Sequence, residues 1–358
     1  MTVLLVALAV GFAYSMGAHY TGACMGMPHA LQAISSRAAL LLMAPLTLLG
    51  ATLASRGVEE TVGHGLLAAH GLSVAGLVIV LGVAFGLTSL FNRLRIPTST
   101  IQILVFSVIG AGLAARIGIQ WPHIEELVGI WVSAPVAAAG LGYLLTKLLD
   151  LVPGVRDEAQ LAGREQTNVA GPKESGSDPS APVTPGYAGA TDPVTTSRGL
   201  LQALVLVGAL ASFTMGSNDV ANATGALVGT HTLGSFSAGL VGGLGLAAGV
   251  LTWGRPLLRR VAFDIVSVDR PMATAAQFVQ AAVVLAAVGF GFFTSMNQAL
   301  VGAMTGAGMA RGRQSVQTRT LFGILRGWVV GPGAAIALAY ALTRGAVTAA
   351  GIHYLVAG

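Results

Sequence analysis

Phe213-Thr214-Met215-Gly216-Ser217-Asn218-Asp219-Val220-Ala221-Asn222-Ala223-Thr224-Gly225 closes an apolar run that opens at Gly199. The stretch sets one carboxylate, Asp219, among small polar residues where an apolar span breaks, and it has an echo earlier in the chain. A shift of 199 residues lays Tyr14-Ser15-Met16-Gly17-Ala18 on Phe213-Thr214-Met215-Gly216-Ser217, Gly26 on Gly225, Gly50 on Gly249 and Arg56 on Arg255. A shift of 196 lays Gln102, Val105, Gly110 and Gly112 on Gln298, Val301, Gly306 and Gly308. At 197, Trp131, Pro135, Tyr143 and Thr146 meet Trp328, Pro332, Tyr340 and Thr343, and Lys147 meets Arg344. So steady an offset over half the chain indicates an internal duplication.

The composition says what kind of solvent these halves face. Of 358 residues only 9% are charged and 54% are hydrophobic, where a soluble domain carries about 25% charge. The mean hydropathy is +0.76. A soluble enzyme, a nucleic-acid-binding domain and a disordered chain are excluded, since none could present so little charge to water. The pI of 9.8 reflects basic membrane loops rather than a DNA-binding surface. One cysteine, Cys24, rules out an internal disulfide and a cysteine-based metal cluster. Forty-nine glycines suit closely packed transmembrane helices.

Ten apolar runs approach the ~20 residues that span a bilayer: 2–18, 36–55, 71–92, 98–115, 126–149, 199–217, 233–254, 271–293, 295–310 and 321–343. The first follows Met1 without a basic n-region, so it reads as a span and not a cleaved signal. Residues 152–197, rich in Pro, Gly, Ser and charge, read as a disordered linker. The chain therefore divides into a first membrane repeat, 1–151, that linker, and a second repeat, 198–358. Alternating spans gather fifteen basic residues on one side, from Arg37, Arg93 and Lys147 through the linker to Arg255, Arg270, Arg311 and Arg319. The other side receives Arg56, Arg116 and Arg344, with Arg326 near a helix start. The positive-inside rule then makes the linker cytoplasmic and puts both termini outside. Five spans per half is odd, so the halves enter the bilayer from opposite faces. Inverted repeats with interrupted helices are an architecture of secondary transporters. The expected fold is thus all-α and membrane-integral, with about ten helices in two inverted five-helix repeats with re-entrant or broken helices. The run Arg255–Asp264 is amphipathic and is expected along the inner leaflet.

Thirteen of the fourteen acids fall in loops, span ends or the linker; Asp219 alone lies within the apolar region. An intramembrane carboxylate is a functional residue by default, the alternative being a cap on a re-entrant helix. Asn218 and Asn222 add hard oxygen atoms of the kind a Na⁺ or proton site uses. Here a resemblance becomes specific. Gly216-Ser217-Asn218-Asp219-Val220-Ala221-Asn222-Ala223-Thr224-Gly225 resembles the GANDVANAxG signature of the inorganic phosphate transporter family, and the resemblance covers both halves but not the linker. It implies a cation-coupled symporter for a tetrahedral oxyanion, with Asp219, Asn218 and Asn222 at the positions that hold the coupling cation. The family's Pro-x-Ser-Thr-Thr-His hairpin is similar to Pro97-Thr98-Ser99-Thr100-Ile101-Gln102 and to Thr294-Ser295-Met296-Asn297-Gln298. It implies anion binding by Ser99, Thr100, Gln102, Ser295, Asn297 and Gln298. Hydroxyl and amide donors beside a helix N-terminus suit an anion on physical grounds too, although simple N-capping would also place serines there.

The pattern breaks in the first half. Opposite Asn218, Asp219 and Asn222 stand His19, Tyr20 and Ala23, and the hairpin His is Gln in both halves. One carboxylate favours one coupling cation, H⁺ ahead of Na⁺. Fewer acceptors suit sulfate, while Asp219 can still accept from protonated phosphate, and the first-half motif resembles the family's sulfate-permease branch. Phosphate ranks just ahead. His19 reads either as a titrating cavity residue or as a packing histidine. No catalytic residue, metal site, cofactor or nucleic-acid partner is expected. The remaining alternatives are an anion channel and a transport-dead scaffold. The partners are the bilayer and phosphate or sulfate, with a homodimer left open.

Overall fold

The computed structural model describes residues 1–64, 71–94, 96, 98–152, 155, 198–258, 268–312, 318–351 and 355–356. Residues 156–197, the bulk of the expected linker, lie outside them, as do Pro97 and residues 259–267. The described residues form twelve helices. They are α1 (Thr2–His19), α2 (Thr21–Ala30), α3 (Ser36–Leu53), α4 (Arg56–His64), α5 (Val74–Leu94), α6 (Thr100–Ala114), α7 (Trp121–Leu149), α8 (Arg198–Gly229), α9 (Ser235–Trp253), α10 (Arg270–Gly289), α11 (Met296–Arg311) and α12 (Thr318–Ala350). Among the described residues no strand forms beyond an isolated bridge between Leu72 and Val356.

Eight stretches are long and apolar enough to cross a membrane, the first running through α1 and α2 as Thr2–Ala30. The expected spans 98–115 and 295–310 are corrected. They fold as α6 and α11, of 15 and 16 residues, only about 22–24 Å long at 1.5 Å per residue, short of the ~30 Å hydrocarbon core. An extended residue precedes each, Ser99 (φ −97°, ψ 106°) and Ser295 (φ −84°, ψ 117°). A second correction concerns the signature. α8 runs through it unbroken for 32 residues, and the interruption falls in the first half, at Tyr20 between α1 and α2. The signature thus lies within a continuous helix, and its side chains alone face the interior. Of the run Arg255–Asp264 only 255–258 are described, as a turn with Leu257 and Leu258 buried.

Small residues set how closely the helices approach. A methyl group added to Gly17 would land on the Leu246 carbonyl oxygen, and one on Gly216 would land on that of Thr47. Gly50 meets the Phe213 carbonyl and Gly249 meets that of Tyr14 in the same way. The 199-residue shift carries each contact onto its mate. The pairs also give direction: α1 runs with α9 (Val10 by Gly245, Tyr14 by Gly249), α3 runs with α8, and α3 runs against α9 (Ala51 by Gly239, Leu48 by Gly243). α1 and α8, which the shift superimposes, therefore point in opposite directions.

Two ends of the bundle follow. On one, Arg311 pairs with Asp269 (Nε to Oδ2, 2.7 Å) and with Asp150, tying the ends of α7 and α11 to the start of α10. Burial works against the Arg311 charge, but the two carboxylates outweigh it and hold the guanidinium above its ordinary range. Asp269 also caps α10, accepting from Met272 N at 2.7 Å. On the other end Thr61 donates to Gly291 O (2.8 Å), and Ser73 N to Leu355 O (2.9 Å).

Candidate functional site

The two short helices start in the interior, and their starts form two polar tips. Thr98, Ser99 and Thr100 of the first and Thr294, Ser295, Asn297 and Gln298 of the second are all buried, with Gln102 at the edge of burial. Ser99 and Ser295 cap their helices, each accepting weakly from the backbone N–H three residues on, Gln102 and Gln298, at 3.4 Å. Capping uses an oxygen lone pair, so each hydroxyl proton stays available to an anion.

The tips touch each other. Asn297 Nδ2 donates to Thr98 O at 2.9 Å, and Thr98 O also lies 3.1 Å from His19 Nε2. The residues at the signature positions hold the tips from behind. Asn218 takes the Thr294 peptide by both ends, donating to its carbonyl at 2.8 Å and accepting from its N–H at 3.1 Å. Its first-half counterpart His19 places Nε2 beside the Thr98 carbonyl. Asn218, expected as a cation ligand, makes its two hydrogen bonds to Thr294 beside Asp219. The Tyr20 hydroxyl, at the position that matches Asp219, shares a 2.8 Å hydrogen bond with Thr100 Oγ1.

Asp219 is fully buried; Oδ1 accepts a long 3.4 Å hydrogen bond from Asn222, while Oδ2 has no hydrogen-bond partner. Asn222 Oδ1, Asn297 Oδ1, Gln102 Oε1 and Gln298 Oε1 are likewise buried without a partner. Buried polar atoms in native proteins are nearly always satisfied, so these atoms make the candidate site for a ligand. A carboxylate with amide oxygens suits a cation. The Gln102 and Gln298 amides, turned about their terminal bond, offer N–H donors to an anion.

Three contributors escaped the sequence reading. Gln277 on α10 donates to Ala23 O (2.7 Å) and to Gln280 Oε1 (2.9 Å), and Gln280 donates to Met296 O at 3.3 Å. This pair braces the second tip against α2; two amides three residues apart in an apolar span were the available signal. The third is Glu59 on α4, assigned above to a loop with the other acids and found fully buried, accepting from Thr224 Oγ1 at 2.9 Å. Asp219 is therefore not the sole interior carboxylate.

Apolar helices around a buried polar site between two inward tips define a multi-pass helical membrane protein of the transporter kind. The description "Phosphate transporter family" matches residues 16–339, and the chain belongs to that family. It is 25% identical to sulfate permease CysP of Bacillus subtilis, covering 96% of this chain and 87% of that protein. It is 24% identical to a putative phosphate permease of Pyrococcus furiosus, over 92% of both. A solved structure described as a sodium-dependent phosphate transporter superposes with a TM-score of 0.81 at 21% identity, covering 98% of this chain and 99% of that one; the fold is shared.

Proposed function

We propose that the chain is a secondary-active symporter for a tetrahedral oxyanion, inorganic phosphate ahead of sulfate, coupled to a cation at Asp219 and Asn222. The observation that carries this reading is the buried carboxylate beside two interior tips of hydroxyl and amide groups. Bringing phosphate towards an ionised Asp219 is unfavourable. Two like unit charges about 5 Å apart repel by about 3 kcal/mol at an effective dielectric of ~20. A proton or Na⁺ on Asp219 removes that repulsion, so the cation loads first or with the anion, and the two move together. Ser99, Thr100 and Ser295 then donate hydroxyls, and Gln102, Asn297 and Gln298 donate amides, at the positive ends of α6 and α11.

The reciprocal glycine contacts and the opposed α1 and α8 support two halves of inverted topology around this site. Sulfate is the second reading, favoured by Tyr20 in place of a second carboxylate and by the Bacillus permease among the relatives. The orientation proposed is multi-pass in the cell membrane, with the linker cytoplasmic and both termini outside. No catalytic role is proposed.

Uptake of labelled phosphate and sulfate into proteoliposomes, with H⁺ and Na⁺ gradients imposed separately, tests the reading. Phosphate should accumulate above equilibrium under one cation gradient, and Asp219→Asn should lower accumulation at least about tenfold, the loss of an essential charge. Downhill flux without accumulation would make the protein a channel. Asp219→Asn uptake at the wild-type rate with unchanged ion dependence would remove Asp219 from the mechanism.

A further inference from the structure

Glu59 is a carboxylate that the packing of the fold does not require. It is fully buried on α4 and accepts from Thr224 Oγ1 of α8 at 2.9 Å. The 199-residue shift that lays Arg56 on Arg255 also lays Glu59 on Leu258, and it lays Met25 on Thr224. In the other half this place is apolar. Leu258 is 1% exposed with its carbonyl oxygen against Gly26, and the neighbouring Met25 is fully buried. One half closes its packing with Leu and Met, while the other sets a carboxylate and a hydroxyl at the equivalent positions. A buried carboxylate costs free energy that a leucine does not, so the reason for Glu59 lies in function and not in packing.

The chemistry beside it suits a cation. Thr224 Oγ1 has one proton and two acceptors within reach, Glu59 Oε1 at 2.9 Å and Val220 O at 3.0 Å. Without a cation the proton serves the carboxylate. With a metal cation on Glu59 it turns to Val220 O, and the hydroxyl oxygen becomes a further ligand beside the carboxylate; a proton simply joins the carboxylate. Arg56 and Gly57, on the preceding turn of α4, are exposed, so Glu59 lies within a turn of that end of the bundle. We propose that Glu59, with Thr224, is a second coupling-cation site, loaded from the end that carries Arg56. It is separate from Asp219. Thr224 lies farther along α8 by about 7.5 Å, at 1.5 Å per residue, and packs towards Gly242 of α9, whereas Asp219 faces Tyr20. The two carboxylates flank α8, and each carries its own cation. The site deepens the symporter reading and rests on it for its consequence, a second cation travelling with each anion.

The elements packed against α4 bring few charged or titratable groups. α8 brings Arg198 and Asp219, the turn after it His231, α10 brings Arg270 and α9 brings none; α4 itself carries Arg56, Glu60 and His64. Arg198 and Arg270 begin their helices at the opposite end of the bundle, His231 is exposed, and Asp219 stands on the other flank of α8.

Two measurements test the site. In proteoliposomes with the membrane potential clamped, H⁺ and Na⁺ gradients are imposed separately and anion accumulation is read at steady state. The accumulation ratio rises as a power of the cation ratio, and that power counts the coupled cations. It should be about one higher in wild type than in Glu59→Gln, the loss of one linked cation, and the gradient under which it falls identifies the cation. Equal powers overturn the proposal. Glu59→Leu with Thr224→Val, which copies the apolar character of the other half, should fold and show the same lower power. Failure of both variants to fold would make Glu59 a packing residue and overturn the proposal as well. The second measurement needs no transport. Infrared difference spectra in lipid, on adding Na⁺ and separately on lowering the pH, should show a carboxyl signal that Glu59→Gln removes and Asp219→Asn retains. It should appear at lower cation concentration when phosphate or sulfate is present. A signal unchanged by Glu59→Gln overturns the site, and one indifferent to the anion overturns its coupling. Wild-type protein that accumulates no anion under either gradient sinks the symporter reading instead, and the infrared signal then decides whether Glu59 takes a cation.

Discussion

At the scale of single residues, a carboxylate is legible when its neighbours in sequence are apolar and hidden when they are not. Asp219 interrupts an apolar run and was found from that alone. Glu59 lies in Arg56-Gly57-Val58-Glu59-Glu60-Thr61, which reads as a solvated turn; its burial is made by α8, which packs across α4 and brings Thr224 to it. That contact makes a prediction about stability. Thr224→Val keeps the shape and the methyl group against which Gly242 packs but removes the hydroxyl donor. Leaving a buried acceptor without its donor costs about 1–3 kcal/mol, so thermal unfolding in detergent should show a loss of about that size. Thr224→Ser keeps the donor and should lose less. Equal melting of the Val variant and wild type would show that Glu59 draws nothing from Thr224. The same logic applies to Asn218 and His19: their residue types give their chemistry, but only the folded tips bring the Thr294 and Thr98 backbones to them.

At the scale of elements, the glycine count predicted close packing without saying which helices meet. The 199-residue shift carries that information, since it pairs Gly50 with Gly249 and Tyr14 with Phe213, and these four residues build two equivalent contacts. Gly249→Ala would drive a methyl into the Tyr14 carbonyl, a backbone atom in the middle of α1 that cannot swing aside. Overpacking costs about 1–3 kcal/mol where side chains can yield, and here none can. The variant should lose at least about 3 kcal/mol, or fail to give a monodisperse peak on size exclusion, and Gly50→Ala should behave alike. Gly82→Ala, with nothing within 4 Å of the added carbon, should melt as wild type or slightly higher. A tolerated Gly249→Ala would mean that α1 and α9 do not meet as described. What the hydropathy pattern could not give was the length of α6 and α11. The apolar runs continue past the tips, and the short helices end or begin where buried Ser, Thr and Asn need partners from other helices.

At the scale of the whole molecule, the two ends of the bundle allow the charge asymmetry to be tested as geometry. One cavity joins Arg93 to Trp253 and another joins His29 and Ser36 to Arg255, so the ends of α2, α5 and α9 share one end of the bundle, and the alternating run of the helices places Arg311, Asp269 and Asp150 at the same end. Arg37, Arg93, Lys147, Arg198, Arg255, Arg270 and Arg311 thus belong to one end, while Arg56 and Arg116 belong to the other, where α4 meets Gly291 and where α6 ends and α7 begins. Positive charge is retained on the cytoplasmic side of membrane proteins, so the first end should face inward. Cysteine labelling can decide this cleanly, because Cys24 is fully buried with its thiol on the Ala211 carbonyl and should contribute little background. Leu151→Cys and Gly199→Cys, exposed on the basic end and flanking residues 156–197, should resist an impermeant maleimide on intact cells and react once the membrane is opened. Gln120→Cys and Ser237→Cys, exposed at the other end, one from each half, should react in intact cells. The reverse pattern would invert the molecule and set its basic end outside. Unlike labelling of two positions assigned to the same end would break the assignment of ends itself, and with it the opposed directions of α1 and α8 on which the two-fold reading of the chain depends.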